Sequence, residues 1–231
     1  MRYIHKGNEP VIITKYRTLR QNAGQVISYA DFPNAQQLND ILREEQNSIC
    51  CYCMQAINHF QDGNEAGSHN EHLVPQHGIY GNLALQMEYT NIYACCNYTK
   101  NFPDEDSYCG WHKHDGWITN FIQQRNCRSF FKYNSIGEIL PNGVFETEED
   151  YRLNEQTLPQ GQSDALKAID VLNLNQAVLK KRRFDLIQTI FLIIRNLSPQ
   201  QAQAKIQRML NLNPLPPFVE VNIYYLNKVQ S

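Results

Sequence analysis

The chain has 231 residues, of which 42% are hydrophobic and 19% charged, the composition of an ordinary globular protein that can bury a core without covalent crosslinks. Its 21 basic and 23 acidic residues give a net charge of −2, so no global positive field would attract nucleic acid. The longest apolar run, 184–194, is interrupted by polar residues and falls short of the roughly 20 residues that span a bilayer. No membrane role is expected.

The first part of the chain predicts an extended segment, a helix and a cysteine knuckle. Residues 10–13 consist of a proline followed by three apolar, β-branched residues, which favour an extended conformation. Leu38, Ile41 and Leu42 then recur at helical spacing, which predicts a helix that runs into the knuckle at residues 50–53.

The cysteines point to a metal site. An odd number, seven, with two adjacent pairs suits a disulfide framework poorly and fits metal ligation in a reducing cytoplasm. Cys50 and Cys53 have the spacing at which two thiolates reach one tetrahedral zinc. One of Cys95 and Cys96, together with Cys109, would complete the site. A closed site of four thiolates is structural rather than catalytic.

Such a zinc would hold the segment that contains Glu71 and His72, which follows a turn-rich loop at residues 62–68. Adjacent residues of an extended segment point to opposite faces, so one can bind a metal while the other faces a water. Glu71 would ligate a hard cation such as Mg²⁺, and His72 could take a proton from the attacking water. Asn91 lies where a second strand could bring its amide beside His72 and orient the imidazole.

The second half of the chain reads as a closing helix, a hairpin and a helical region. The helix is expected over about 110–125 and the hairpin over about 128–140. An acidic, polar stretch at 144–160 marks the expected boundary between a domain of residues 1–143 and a mainly helical region of residues 144–231.

Three helices and a final strand are expected in this C-terminal region, at about 163–172, 174–195, 198–210 and 218–224. Ser198 and Pro199 supply an N-cap and a proline at the first helical position. The basic cluster at 180–183 would spread its charges around a helix, and it could contact phosphate or a partner protein.

The remaining histidines near the site are expected at the surface, and the remaining cysteines in the core. The histidines are His59, His69 and His77, of which His69 lies close enough to the cleft to be a lesser candidate. The cysteines are Cys51, Cys127 and whichever of the adjacent pair does not bind the metal.

These motifs resemble the HNH nucleases, whose ββα-metal finger carries a base histidine on its first strand, an orienting asparagine on its second and a metal ligand on its helix. A closer similarity is to the HNH subunit of Septu and retron-associated anti-phage systems. It rests on motifs that occur in the same order along most of the chain: 42–46 leading into 49–53, Glu71-His72 with Pro75-Gln76, and 172–175 followed by Arg182 or Arg183. The resemblance implies an α+β fold with a finger core at about 50–125.

The resemblance also implies a register for the thiols. Counting from Asn91, the family's cysteine falls on Cys96 rather than Cys95, and Cys109 stands in for a second cysteine after an insertion. The zinc set expected from this register is Cys50, Cys53, Cys96 and Cys109.

The helix position that usually binds the catalytic Mg²⁺ or Mn²⁺ holds Gly110, which has no side chain to coordinate a metal. The remaining candidates on this segment are His112, His114 and Asp115, and we expect His112 to join Glu71 as a ligand of the cation.

The function implied by the resemblance is metal-dependent endonuclease activity on phosphodiester bonds of DNA or RNA. Relatives act with an ATPase subunit, and in some systems also with a retron reverse transcriptase and its DNA. The alternative is a non-catalytic zinc-finger adaptor that binds the ATPase or nucleic acid, which the glycine at the helix position favours.

Overall fold

The computed structural model describes residues 1–57 and 67–230, in which eight α-helices and two small antiparallel sheets form an α+β fold. His59 and most of the loop predicted at 62–68 lie outside the described residues. The helices are α1 (Val11–Asn22), α2 (Ala35–Glu45), α3 (Gly110–Lys113), α4 (Glu148–Leu153), α5 (Gln160–Val171), α6 (Ala177–Ile194), α7 (Pro199–Leu210) and α8 (Val219–Asn227). The strands are β1 (Ser68–His72), β2 (Ile92–Cys96), β3 (Phe131–Tyr133) and β4 (Ile139–Pro141).

Helix α1 occupies the segment that was predicted to be extended. Ile13 and Tyr16, three residues apart, are buried on one face of this helix, and Pro10 directly precedes it. The prediction considered only the short apolar run 11–13, whose periodicity cannot separate a strand from a buried helical turn. Helix α2 forms where it was expected and buries Leu38 and Leu42.

The first sheet pairs β1 with β2 in antiparallel register, with His69 opposite Cys95 and His72 opposite Ile92. Every residue of β2 is buried. The outer edge of β2 is satisfied by Gln46 at the end of α2, whose side chain donates to the carbonyl of Ala94 and accepts from its N–H, both at 2.8 Å. The main-chain groups of Ala94 at this edge are therefore satisfied without another strand.

Strand β1 consists of polar residues and is held by side-chain hydrogen bonds to α2 and the loop before it. Ser68 donates to Asn39 of α2 at 2.7 Å, and Asn39 donates to the side chain of Asn70 at 2.8 Å. Asn70 in turn donates to the hydroxyl of Tyr29 at 2.7 Å. These bonds fix the strand that carries Glu71 with its alternate residues on opposite faces.

Helix α3 ends at Lys113, so the prediction of a helix to about residue 125 is wrong. The next residue, His114, has a positive φ of 46°, which stops the helix. A side chain at Gly116 would lie 2.8 Å from the carbonyl oxygen of Lys113, so the turn requires this glycine. Phe121 and Ile122 are buried, but they reach the core from an irregular segment.

The C-terminal helices pack on the part of the chain that precedes residue 144. One cluster of buried apolar residues includes members from both sides of residue 144. Helices α5, α6 and α7 and the hairpin β3–β4 agree with the predictions, and Ser198 caps α7 by accepting from the N–H of Gln201. In the described ranges, no helix has the length and apolar character needed to cross a bilayer.

Helix α8 replaces the predicted final strand at 218–224. Val219, Val221 and Ile223 alternate in the sequence, but Glu220 between them is also buried. A helix that packs on several neighbours is buried on most of its surface, and α8 contacts α6, α7 and β3. The alternation in the sequence therefore did not reflect a two-faced strand.

The segment 172–175 joins the cysteine region to the C-terminal helices. The N–H of Cys109 donates to the carbonyl of Leu172 at 2.8 Å, and Asn173 donates to the carbonyl of Ser107 at 2.8 Å. Arg183, which is 2% exposed, donates to Gly137 at 2.6 Å, to Leu174 at 2.8 Å and to the side chain of Asn175 at 3.0 Å.

This burial divides the basic cluster at 180–183. Arg183 is an internal bridge, Lys181 pairs with Asp185 at 2.5 Å, and the guanidinium of exposed Arg182 lies 5.0 Å from the ring centroid of Tyr98. The cluster therefore does not present four parallel charges to a phosphate backbone.

We expect Arg183→Ala to lower the free energy of unfolding by about 3 kcal/mol or more, because it leaves several buried acceptors without a donor. The matched control is the neighbouring exposed Arg182→Ala, expected to stay within about 0.5 kcal/mol of wild type. Urea denaturation followed by circular dichroism measures both. Equal stability of the two variants would contradict the bridging role.

Candidate metal centre and active-site cleft

Four buried cysteines form a group that could hold a metal such as zinc. The Sγ atoms of Cys50, Cys95, Cys96 and Cys109 all lie within 4.8 Å of one another. The Sγ of Cys50 is 3.8 Å from that of Cys95 and 3.9 Å from that of Cys109. Thiolates bound at about 2.3 Å around a tetrahedral ion lie about 3.8 Å apart, so the spacing fits zinc.

The fourth ligand differs between this group and the predicted set. Cys53 was predicted to bind, and its Sγ lies 3.8 Å from that of Cys96, where it also accepts from Gln55 at 3.5 Å. Strand alternation would send Cys95 and Cys96 to opposite faces, yet both sulfurs lie near Cys50. Cys53 therefore lies next to Cys96, outside the group of four, and Cys53 and Cys95 are the two candidates for the fourth position.

Cys109 holds a backbone conformation that residues other than glycine rarely adopt, with φ 60° and ψ −136°. Its N–H is bonded to Leu172, as described above, and its sulfur belongs to the thiol group. These two attachments hold the chain in the strained conformation from which α3 starts.

An open cleft lies beside the thiol group, between β1 and the start of α3. Its lining includes His69, Glu71 and His72 from β1, Gln76 and His77 from the following loop, and Gly110, Trp111, His114 and Asp115 from the α3 segment. The predicted pair Glu71-His72 is thus part of a concave surface. As expected for a strand, its two side chains have different partners on the two faces.

Glu71 is at the centre of a buried network of charges. Its Oε1 accepts from Lys113 at 2.9 Å and from the hydroxyl of Tyr52 at 3.2 Å, and its Oε2 lies 3.5 Å from the Nε2 of His69. Burial alone would raise the pKa of Glu71, but Lys113 and His69 outweigh it and lower the pKa to about 2. Burial would likewise lower the pKa of His69, but the bond to Glu71 raises it to about 9.

Lys113 links this network to the predicted base. Its ammonium group, with only 1% of the side chain exposed, also donates to the main-chain carbonyl of His72 at 2.9 Å. One buried cation therefore holds both the carboxylate of Glu71 and the backbone of the next residue.

His72 has one nitrogen available as an acceptor. Its Nε2 donates to the carbonyl of Gln86 at 2.9 Å, so the neutral ring keeps its lone pair on Nδ1. The Nδ1 faces the side-chain amide of Gln76 at 3.2 Å. The ring packs edge-on against Tyr29 with centroids 4.6 Å apart, and burial lowers the pKa of His72, which favours the neutral form.

Asn91 does not orient this ring, contrary to the prediction. It precedes β2, and its Oδ1 accepts from the N–H of Val74 at 2.8 Å while its Nδ2 donates to the carbonyls of Val74 at 3.1 Å and Leu85 at 3.2 Å. Asn91 thus fixes the loop that follows His72. The contacts of the ring itself come from Gln86, Gln76 and Tyr29.

His112 does not join Glu71 in the cleft. Its Nδ1 donates to the carbonyl of Val171 in α5 at 3.0 Å, so the prediction of His112 as a cation ligand has no support from its position. His114 lines the cleft but pairs with exposed Asp104 at 2.7 Å. Position 110 is the one that comes closest to Glu71, because a Cβ there would lie 2.6 Å from its Oε2.

Two residues of the site were missed or undervalued. His69 was a lesser candidate, although its place two residues before Glu71 puts both on one face of β1. Lys113 has no signal in the sequence, because its reach to Glu71 depends on where the one-turn helix α3 lies.

Comparison of the chain with models of protein families and with curated proteins found no match.

We expect about one zinc per chain by elemental analysis, with loss of the metal in Cys50→Ser, Cys96→Ser and Cys109→Ser. Cys127→Ser is the control, since this buried thiol lies outside the group. Of Cys53→Ser and Cys95→Ser, we expect one and not both to lose zinc, which identifies the fourth ligand. Zinc retained by Cys109→Ser at the wild-type level would refute the centre.

Proposed function

We propose that the protein is a metal-dependent endonuclease of the HNH type that cleaves phosphodiester bonds in DNA or RNA. The observation that carries the proposal is the cleft in which β1 presents a carboxylate, Glu71, and the acceptor nitrogen of His72 beside a buried group of thiols. The antiparallel pair β1–β2 followed by the short helix α3 supports the comparison with a ββα finger.

In this proposal His72 is the general base. Its Nε2–H is held by the carbonyl of Gln86, so Nδ1 is the atom that takes the proton from an attacking water. Gln76 contacts this nitrogen from a loop that lines the cleft, and its amide has to move aside or hydrogen-bond to the water. Lys113 keeps the backbone of His72 in place during the transfer.

Glu71 is the proposed ligand of a catalytic Mg²⁺ or Mn²⁺. Lys113 and Tyr52 bond to its Oε1, which leaves Oε2 as the oxygen with the weaker contact. When bound, the cation would act as a Lewis acid on the phosphate and its leaving oxygen. The ionised state of Glu71 is the state such a ligand needs.

The proposal includes a defence complex in which the chain acts with an ATPase subunit, and in retron-linked systems with a reverse transcriptase and its DNA. The net charge of −2 and the divided basic cluster support dependence on a partner for strong binding to nucleic acid. Leu192 of α6 and Leu212, two residues after the end of α7, are 66% and 51% exposed and are available for a contact with a partner protein.

A zinc-stabilised adaptor without catalysis is the second candidate. The observation that favours it is that Glu71 already has two cationic partners in this structure, Lys113 and His69. In an adaptor this network would serve only to fix α3 against β1.

We expect His72→Ala to lower cleavage by about 10² or more at neutral pH, since a positioned base contributes about 10² to 10⁴. His77→Ala is the matched control, because His77 also lines the cleft but is exposed. Labelled duplex DNA, single-stranded DNA and RNA are incubated with Mg²⁺ or Mn²⁺ and the chain, alone and with its ATPase partner. Zinc content should be equal in all variants.

Cleavage at the wild-type rate by both His72→Ala and Glu71→Gln would show that this cleft is not the active site. If the wild-type chain cleaves none of these substrates in the presence of the ATPase, the adaptor becomes the better description.

A further inference from the structure

Two donor atoms on the same face of β1 have the spacing of a metal chelate. The Oε2 of Glu71 and the Nε2 of His69 lie 3.5 Å apart. Two ligand atoms at about 2.1 to 2.2 Å from one ion lie about 3.0 Å apart at adjacent octahedral positions and about 3.5 Å apart in a tetrahedron, so a small closure of the pair covers both geometries. The pair therefore fits a cation bound between the two side chains.

Gly110 keeps the space next to this pair free. A Cβ at this position would lie 2.6 Å from the Oε2 of Glu71 and 2.7 Å from the Nε2 of His69, closer than real Cβ atoms approach. Since the φ of Gly110 is not positive, the close approach and not the backbone conformation requires a glycine here. Its N–H donates to the Sγ of Cys95 at 3.3 Å, which fixes it against the thiol group.

The ring of His69 is oriented for ligation by its other nitrogen. Trp111, whose indole can only donate, lies 3.1 Å from the Oδ1 of Asn97, so this atom is an acceptor. The Nδ1 of His69 lies 2.8 Å from the same oxygen and must donate to it. The second proton of a charged ring therefore lies on Nε2, against Glu71, and a cation bound there would displace this proton and take up the lone pair. A hydrogen bond from the other nitrogen is typical of metal-bound histidines.

We infer that His69 is the second protein ligand of the catalytic cation, together with Oε2 of Glu71. This inference rests on the proposed function and deepens it by naming the kind of ion. An imidazole ligand suits first-row transition ions better than Mg²⁺, which prefers oxygen ligands and keeps its waters, and Mn²⁺ is the ion of this row that also favours the carboxylate and water ligands of such a site. Water molecules would complete the coordination of the ion.

Binding of Mn²⁺ to the zinc-loaded full chain, measured by EPR, tests the inference without an activity assay. We expect one site in wild type, weakened at least tenfold in His69→Ala and in Gly110→Ala, whose methyl group would crowd both ligand atoms. Asn97→Ala should weaken it by about 10- to 100-fold, because Asn97 orients the ring. His112→Ala is the control and should bind Mn²⁺ as wild type does.

Pulsed EPR of the wild-type complex gives a second readout that needs no variant. The coupling of one imidazole nitrogen to Mn²⁺ is expected, and its loss in His69→Asn identifies the ring. Zinc content and thermal melting establish that each variant is folded. A wild-type chain without this Mn²⁺ site, or a folded His69→Asn that binds Mn²⁺ as tightly as wild type, overturns the inference.

The two proposals fail in different ways. Cleavage that requires His72 but is unchanged in His69→Asn, with Mn²⁺ binding also unchanged, removes His69 and leaves the nuclease. A Mn²⁺ site that requires His69 in a chain that cleaves no nucleic acid leaves the metal site and removes the nuclease.

Discussion

The group of buried thiols is the constraint on which the rest of the site depends. It joins three segments that are far apart in the sequence: the knuckle at 50–53, the end of β2 and the residue before α3. A helix of four residues has no stability of its own, since even much longer isolated helices are marginal in water. The positions of Gly110 and Lys113 are therefore set by Cys109, which is anchored on one side by its sulfur and on the other by Leu172.

The charges next to the thiols show why this region contains buried ionisable groups at all. Removing Lys113 or Glu71 would leave a buried charge without its main partner, which is costly, whereas in the complete network the buried carboxylate is paired with Lys113 and lies beside His69. Such a network contributes little net stability in general, so its presence calls for another explanation. One such explanation is that the network places a carboxylate and an imidazole beside an open cleft, an arrangement that a purely stabilising role would not require.

The sequence was most informative where local chemistry decides the structure. The cap at Ser198 and the different partners of Glu71 and His72 depend on neighbours in the chain, and the structure agrees with them. A group of four cysteines is also present, but it contains Cys95 where Cys53 was expected. The contacts of Asn91 and Lys113 depend instead on the relative positions of a loop, a strand and a one-turn helix. Helix α8 was missed because burial by several elements hides the helical period.

The hydrogen bond from Gly110 to Cys95 implies an order of assembly. The space between His69 and Glu71 has its shape only after the thiols have brought Gly110 against β2. Under the proposals made above, a chain that has lost the ion at the thiols would therefore also lose the position for the second one, although none of its ligands had been changed.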